Sequence, residues 1–325
     1  MSTIWLWIGF LVFVMIMLAL DLGLFHREDR VIRSREALVW TGFCAILSLL
    51  FCGVTYYIYD HNILDIATSY GQQLTGKQAA LQFLTGWLIE QSLSLDNVLV
   101  IALIFTYFRV PQEYQHRVLF WGILGALVMR GVMILAGTVL IHRFSWITYV
   151  FGGLLFLTAV KLLLTSDDHI EPDRNWLVRI ARRIYPVSSD YHGHDFFARV
   201  NGKRAMTPLF LVLLVVESTD VLFAVDSIPA IFAVTTDPFL VFTSNVFAIL
   251  ALRSLYFALA GVMDRFRFIK TSLVFVLAFV GVKMLLAHAY PGAIPTGLSL
   301  AIVAGILGVG VAASLLAKPH DGKAS

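Results

Sequence analysis

Apolar runs of about 20 residues recur along the whole length of this chain, each long enough at about 1.5 Å per residue to cross a hydrocarbon layer about 30 Å thick. A single soluble core has no use for that length repeated so often. The runs fall near residues 4–25, 38–58, 78–107, 116–140, 146–165, 208–234, 239–262, 269–288 and 296–316. Hydrophobic residues make up 59% and charged residues 14% of the sequence, against roughly 45–50% and about 25% in soluble domains. The expectation is an all-α polytopic membrane protein with about nine transmembrane helices, and a soluble globular protein is excluded.

The first run starts at Ile4 with no basic residue ahead of it and no small-residue cleavage site behind it, so it reads as a retained helix and not as a signal peptide. Cys44 and Cys52 both lie inside the second run, too few and too deep for a disulfide framework or a thiolate zinc site, and read as packing. The net charge of +3 sits mostly in loops, where it reports orientation and not a nucleic-acid partner.

Basic residues cluster in alternate connections: Arg27, Arg30, Arg33 and Arg35; Arg109 and Arg117; then Arg174, Arg179, Arg182, Arg183, Arg199, Lys203 and Arg204; then Arg265, Arg267 and Lys270. The intervening connections hold only Lys77 and Arg143, or no basic residue at all. The positive-inside rule then puts the N-terminus outside and the C-terminus in the cytoplasm, with an odd number of spans. Residues 1–77 hold the first two helices, 78–165 a unit of three, 166–205 a basic cytoplasmic loop, 206–288 a second unit of three, and 289–325 the last helix and tail. The loop is expected to be a solvated connector, with 176–184 the stretch patterned for a basic amphipathic helix at the membrane surface.

The two units look related. Leu95-Asp96-Asn97-Val98-Leu99 aligns with Thr219-Asp220-Val221-Leu222-Phe223, an offset of about 124 residues that nearly persists in two further matches. These are Ala126 to Arg130 with Ile249 to Arg253, and Ala159 to Leu163 with Gly281 to Leu285. Three helices per unit is an odd number, so the second copy enters the membrane from the opposite side. Such an inverted-topology repeat of three plus three helices characteristically puts a substrate site near the midplane where the units meet.

Charge inside the spans is costly and functional by default. Here it comprises the acids Asp21, Glu90, Asp96, Glu217, Asp220 and Asp226 and the bases Arg130, Lys161, Arg253 and Lys283. If all are ionised the sum is minus two, which one divalent cation would neutralise. Lys161 and Lys283 lie near helix ends, where they can snorkel to the interface.

Helical spacing puts Glu90, Ser94 and Asn97 on one face with Asp96 on its flank, and Glu217, Asp220 and Ser227 on another, with Asp226 turned away. Pro229 removes a backbone hydrogen bond, so the chain near Val225 and Asp226 is expected to kink or unwind and offer free carbonyls. Carboxylates, an amide, hydroxyls and carbonyls, without thiolate or histidine, form a hard oxygen set suited to Mn²⁺, Mg²⁺ or Ca²⁺. Residue types do not separate the three.

A purely structural reading pairs Asp96 and Asp220 with Arg130 and Arg253 as helix locks, compatible with ion binding. Asp21 is equally a solvated interfacial residue, and Asn245 a ligand or an ordinary interhelical hydrogen bond. Gly305, Gly308 and Gly310 read as close packing. No serine-histidine-aspartate set, phosphate loop or dinucleotide fingerprint is present. An aspartyl dyad of Asp96 and Asp220 would need only two acids, where six accompany four bases. No enzyme is expected.

At Glu90-Gln91-Ser92-Leu93-Ser94-Leu95-Asp96-Asn97, and from Glu217 through Asp220 and Asp226 to Ala230, the chain closely resembles the TerC family of membrane proteins, with its Alx-like subgroup the nearest match. Thr243-Ser244-Asn245, Ala251-Leu252-Arg253 and the stretch from His194 to Leu209 resemble that subgroup too. The similarity runs from about Asp21 to Leu286. It implies a protein similar to transporters of the lysine-exporter type that exports manganese across the cell inner membrane, with Mn²⁺ as substrate and no tightly bound cofactor. The family's ion-handling positions correspond to Glu90, Asp96, Asn97, Glu217, Asp220 and Asp226, with Ser94, Arg130, Asn245 and Arg253 in support. Members are linked to metal supply for secreted proteins, which leaves room for a partner in the membrane or the secretion machinery. The competing expectations are a non-transporting membrane scaffold that holds a metal or partner, and a tellurium-resistance factor. Oligomeric state is open at this level.

Overall fold

The computed structural model describes residues 3–25, 34–69, 73–144, 146–164, 176–188, 191, 193–200, 203–259, 267–289 and 294–316. Helices α1 (Thr3–Phe25) and α2 (Ser34–Asp60) are followed by a 3-10 turn, Ile63–Asp65, and the short α3 (Ile66–Ser69). The long α4 (Gly76–Phe108), α5 (Gln112–Arg143) and α6 (Ile147–Leu164) come next, then α7 (Trp176–Ile184) and strands β1 (Phe197–Val200) and β2 (Lys203–Met206). Helices α8 (Pro208–Phe232), α9 (Pro238–Leu259), α10 (Arg267–Ala289) and α11 (Thr296–Leu316) complete the chain. Among the described residues eight helices are long and apolar enough to cross a membrane. The remaining expected span coincides with α10, whose apolar stretch covers Thr271–Leu286.

The architecture follows from which helix can be apolar on every side. In α9, 94% of the apolar window is buried, against 17% in α2 and α11, so α9 is the axis of the bundle and the other two face lipid. The outer surface carries Val39, Leu50, Val139, Leu157 and Val309 at 63–70% exposure, which is tolerable only where the solvent is hydrocarbon. An aromatic layer fastens α1 and α2 onto this axis. Phe51 and Phe247 meet with ring centroids 4.7 Å apart, and Phe10 lies 6.0 Å from Phe239. Helices α4, α5 and α8 pack around α9, and α6 pairs with α10.

Local sequence sets the helix ends. Thr75 and Gln78 form a reciprocal capping box at the start of α4. Pro208 opens α8 at a position where its missing N–H costs nothing. Pro238 opens α9 in the same way, behind Asp237, which caps that helix.

The 166–205 segment, expected as a solvated connector, is folded where it is described. Val178 and Ala181, three residues apart on α7, are buried and α7 packs on α8. Arg179 and Arg183 stay exposed, which is why the amphipathic pattern produces a docked helix and not a loose loop. The antiparallel hairpin β1–β2 lies outside the all-helical expectation. The Pro186–Ser188 segment joins it through Ser188 N to Met206 O at 2.8 Å and Met206 N to Pro186 O at 2.9 Å.

Asp237, in the turn between α8 and α9 and outside the spans, ties three elements together. Its Oδ1 accepts from the N–H groups of Phe239 at 2.9 Å and Leu240 at 3.2 Å, and its Oδ2 from the Tyr59 hydroxyl of α2 at 2.8 Å. Burial pushes the carboxyl up from 3.8 to about 6, against the opposing pull of those hydrogen bonds. The folded state therefore holds this proton more tightly than the unfolded chain. Its contribution to stability is complete below pH 3.8 and is lost as pH rises through about 6. Asp237→Asn keeps the acceptor oxygen and removes the titration. Melting curves in detergent across that window should show the native protein losing ground relative to the variant as pH rises, and parallel curves would refute the assignment.

Candidate cation site in the bundle core

Arg130, at mid-length in α5 and 2% exposed, is the point where four helices meet. Its Nε and Nη2 donate to the two carboxylate oxygens of Asp220 on α8, at 3.2 and 2.9 Å. Nη1 donates to Oε1 of Glu90 on α4, and lies 3.4 Å from both Ser227 Oγ of α8 and Asn245 Oδ1 of α9. Asp220 and Ser227 are seven residues apart, two turns of helix, and so present one face to the guanidinium. A planar fork that never loses its charge is the side chain that can grip one carboxylate bidentately and a second at its far edge. Buried charge demands such pairing, since an unpaired ion in a low-dielectric interior costs several kcal/mol.

The pairing is incomplete on the acidic side. Glu90, wholly buried, uses one oxygen on Arg130, and its Oε2 has no hydrogen-bond partner. The side-chain oxygen of Asn97, 3% exposed, and the Nδ2 of Asn245 are likewise buried without partners. Two acids face one guanidinium, so the centre has more carboxyl groups than fixed positive charges. A cavity of about 20 Å³, room for one water-sized occupant, is lined here by Asn97, Thr219 and Asp220 with apolar walls from Leu119, Ile123 and Phe223. Its polar lining is oxygen-rich, with no sulfur or imidazole, which is the chemistry of a hard cation.

The remaining expected ligands do not contact Arg130 in the hydrogen bonds and ion pairs described, although Glu217 stays in Coulombic reach of Asp220. Glu217 lies one turn before Asp220 and rests its carboxylate against Gly125 of α5, where an added Cβ would strike it. Asp226 faces α6, accepting from Thr158 Oγ1 at 2.9 Å with Lys161 in Coulombic reach. Asp96 is half-buried on the flank of α4, and Ser94 is buried on that helix. Arg253 is buried on α9, two turns beyond Asn245, and Lys283 is half-buried on α10. The Asp21 side chain lies outside the described residues. Among the described residues no three histidine, cysteine, aspartate or glutamate side chains converge on one point. Thus the structure brings Glu90, Asp220, Arg130 and Asn245 together, sets Asn97 beside Asp220 in the cavity wall with Glu217 in Coulombic reach of Asp220, and turns Asp226 toward α6. The reason for Asp226 is rotation: α8 is helical through Pro229 to Phe232, so the unwinding expected there does not occur. Six residues beyond Asp220 turns it about 120° away around a regular helix.

Three contributors are absent from the sequence reading. Thr158 and Gly125 matter only through what a neighbouring helix brings to them, and no local signal marks them. Asp237 is detectable, because an aspartate directly ahead of a proline at the start of an apolar run is a helix N-cap signature.

Fold and site together define a polytopic helical membrane protein with an ion-paired, oxygen-lined centre in its core. The chain belongs to the integral membrane protein TerC family, whose profile matches residues 75–321. It is 48% identical over 315 residues to an uncharacterized membrane protein of Myxococcus xanthus, spanning 97% of this chain and 93% of that one. It is 46% identical over 303 residues to a protein of Salmonella typhi provisionally named membrane-bound redox modulator Alx, spanning 93% of this chain and 91% of that one. A protein of Escherichia coli strain K12 with the same name is similar to the same extent. No solved structure matches the chain.

Proposed function

We propose that this protein is a divalent-cation exporter of the cell inner membrane, with Mn²⁺ as substrate. The observation that carries the proposal is the Arg130 centre: a tethered cation bridges Glu90, which keeps one orphaned oxygen, and Asp220, which lines a cavity of one-ion size together with the orphaned oxygen-bearing side chain of Asn97. The guanidinium occupies the carboxylates when no metal does. A divalent ion entering past Asn97 and Asp220 displaces it, and the guanidinium returns on release, so the buried acids are never bare at any step. Glu217, Asp96 and Asp226 form flanking positions of the ion path, and Arg253 supports the second unit as Arg130 supports the first.

The transport cycle is alternating access between two inverted three-helix units, α4–α6 and α8–α10. In support, α4 packs on α9 as α5 packs on α8, and α6 packs on α10, the pairings that a pseudo-two-fold axis in the membrane plane generates. Nine spans, with the N-terminus outside and the C-terminus in the cytoplasm, follow from counting α10 among them and from the alternation of loop charge.

The name of the relatives invites a second reading, redox modulation. A dithiol switch within one chain is disfavoured: Cys44 and Cys52 are eight residues apart on α2, about 12 Å along its axis and beyond disulfide reach of about 7 Å. Control of a cytoplasmic metal is the reading consistent with both the name and the site.

The test is Mn²⁺ flux into or out of proteoliposomes containing the purified protein, with Asp220→Asn and Glu90→Gln as shape-preserving variants. Saturable flux in the native protein, reduced at least about tenfold in both variants, is expected, since each removes a charge needed to replace ion hydration. No flux from well-inserted native protein would overturn transport and leave the centre as a structural or regulatory site.

A further inference from the structure

The hairpin carries an unexplained juxtaposition of charge. Its register sets Arg199 directly opposite Arg204, so two guanidinium groups project from the same face of a two-stranded ribbon. Both side chains are exposed. Among the described residues neither has an ion pair, and Asp195, the nearest acid in sequence, pairs with neither. Like charges directly opposite on antiparallel strands destabilise the pair unless an anion lies between them. Phe197, on the same face by its register, is 49% exposed, an apolar edge beside the basic pair.

The surroundings place this pair at a membrane surface. The hairpin runs directly into α8, one residue before the first turn of a span, and Phe197 stacks on Phe210 of that turn with centroids 4.8 Å apart. Arg117, near the start of α5, lies over the neighbouring Phe196 ring at 5.2 Å. Through Pro186–Ser188 the hairpin is tied to α7, whose Arg179, Ile180 and Arg183 are exposed, Ile180 at 44%, and which is followed directly by Tyr185 at 45%. A module with exposed arginines and exposed apolar side chains, held against the ends of membrane helices, matches the headgroup layer: phosphate above, acyl chain below.

We propose that Arg199 and Arg204 form a binding site for the phosphate of an anionic phospholipid, with α7 adding positive field and apolar anchorage. Two planar forks side by side on one face suit a phosphodiester, whose two non-bridging oxygens can each accept from a different fork. The site is independent of the metal centre and stands or falls without it.

The experiment uses the full-length protein in nanodiscs of phosphatidylcholine alone and of phosphatidylcholine mixed with phosphatidylglycerol, with melting temperature and lipid retained after detergent extraction as readouts. The native protein should melt several degrees higher with phosphatidylglycerol and retain it in preference to phosphatidylcholine. Arg199→Gln with Arg204→Gln should lose both preferences, whereas Arg199→Lys with Arg204→Lys, which keeps the charge but not the fork, should retain only part of the effect. Equal behaviour of the native protein in the two discs would overturn the proposal, as would an undiminished preference in the glutamine variant. Inorganic phosphate added to detergent-solubilised protein separates the sources: stabilisation by phosphate without any response to phosphatidylglycerol would replace the lipid by a soluble anion.

Discussion

Arg130→Met is expected to lower stability by roughly 3–5 kcal/mol, the usual cost of removing one partner from a buried ion pair. The variant leaves Glu90 at 0% and Asp220 at 12% exposure facing each other with no cation between them. Methionine preserves much of the volume, so the loss measures charge and not a cavity. Adding Glu90→Gln and Asp220→Asn to Arg130→Met removes the uncompensated charge, and most of the lost melting temperature should return. A single variant that melts like the native protein would mean the pairs contribute little. The same variant tests the exchange role of Arg130. Mn²⁺ should raise the melting temperature of Arg130→Met more than that of the native protein, because the ion no longer competes with a tethered guanidinium. Equal shifts would remove that role while leaving the flux experiment to decide transport.

Gly281→Leu should be strongly damaging. A Cβ at Gly281 would lie 3.0 Å from the backbone nitrogen of Phe156 and 3.1 Å from the carbonyl oxygen of Gly152, both main-chain atoms of α6 that cannot swing aside. Helices in lipid gain their association from close van der Waals approach across small residues, so forcing α6 and α10 apart forfeits the interface itself. Overpacking typically costs about 1–3 kcal/mol, and the upper end or beyond is expected where backbone is the obstacle. Gly153→Leu is the control, because nothing lies within 4 Å of its added Cβ. It should be neutral or mildly stabilising through better helix propensity. If the two variants melt alike, the α6–α10 approach is not a determinant of stability.

Membrane residence and the approximate span boundaries are legible in the amino-acid sequence because lipid imposes one length and one composition on every crossing, a local requirement stated residue by residue. Glu90, Asp220 and Arg130 stand out for the same reason, as charges in segments that otherwise exclude them. The pairing of Asp220 with Arg130 is one of the expected arrangements, and so is the grouping of Glu90 with Asn97 along one face of α4. Spacing along a single helix fixes such faces.

What spacing cannot supply is the partner of a face. Glu217 shares its side of α8 with Asp220 in the sequence pattern, yet its carboxylate rests on Gly125 while Asp220 meets Arg130. Asp226 meets Thr158 on α6, a helix with which no sequence signal connects it. The choice lies in the rotation and axial shift of each helix against its neighbours, set by where small residues let backbones approach, as at Gly152 and Gly281, and by how the aromatic layer seats on α9. The spans, their charges and the α8 face shared by Asp220 and Ser227 follow from the amino-acid order alone, because solvent and helix periodicity act locally. That Arg130 holds Glu90 and Asp220 in one grip while Asp226 turns to α6 emerges only when the helices assemble, because packing between them is a nonlocal fit to which no period in the chain corresponds.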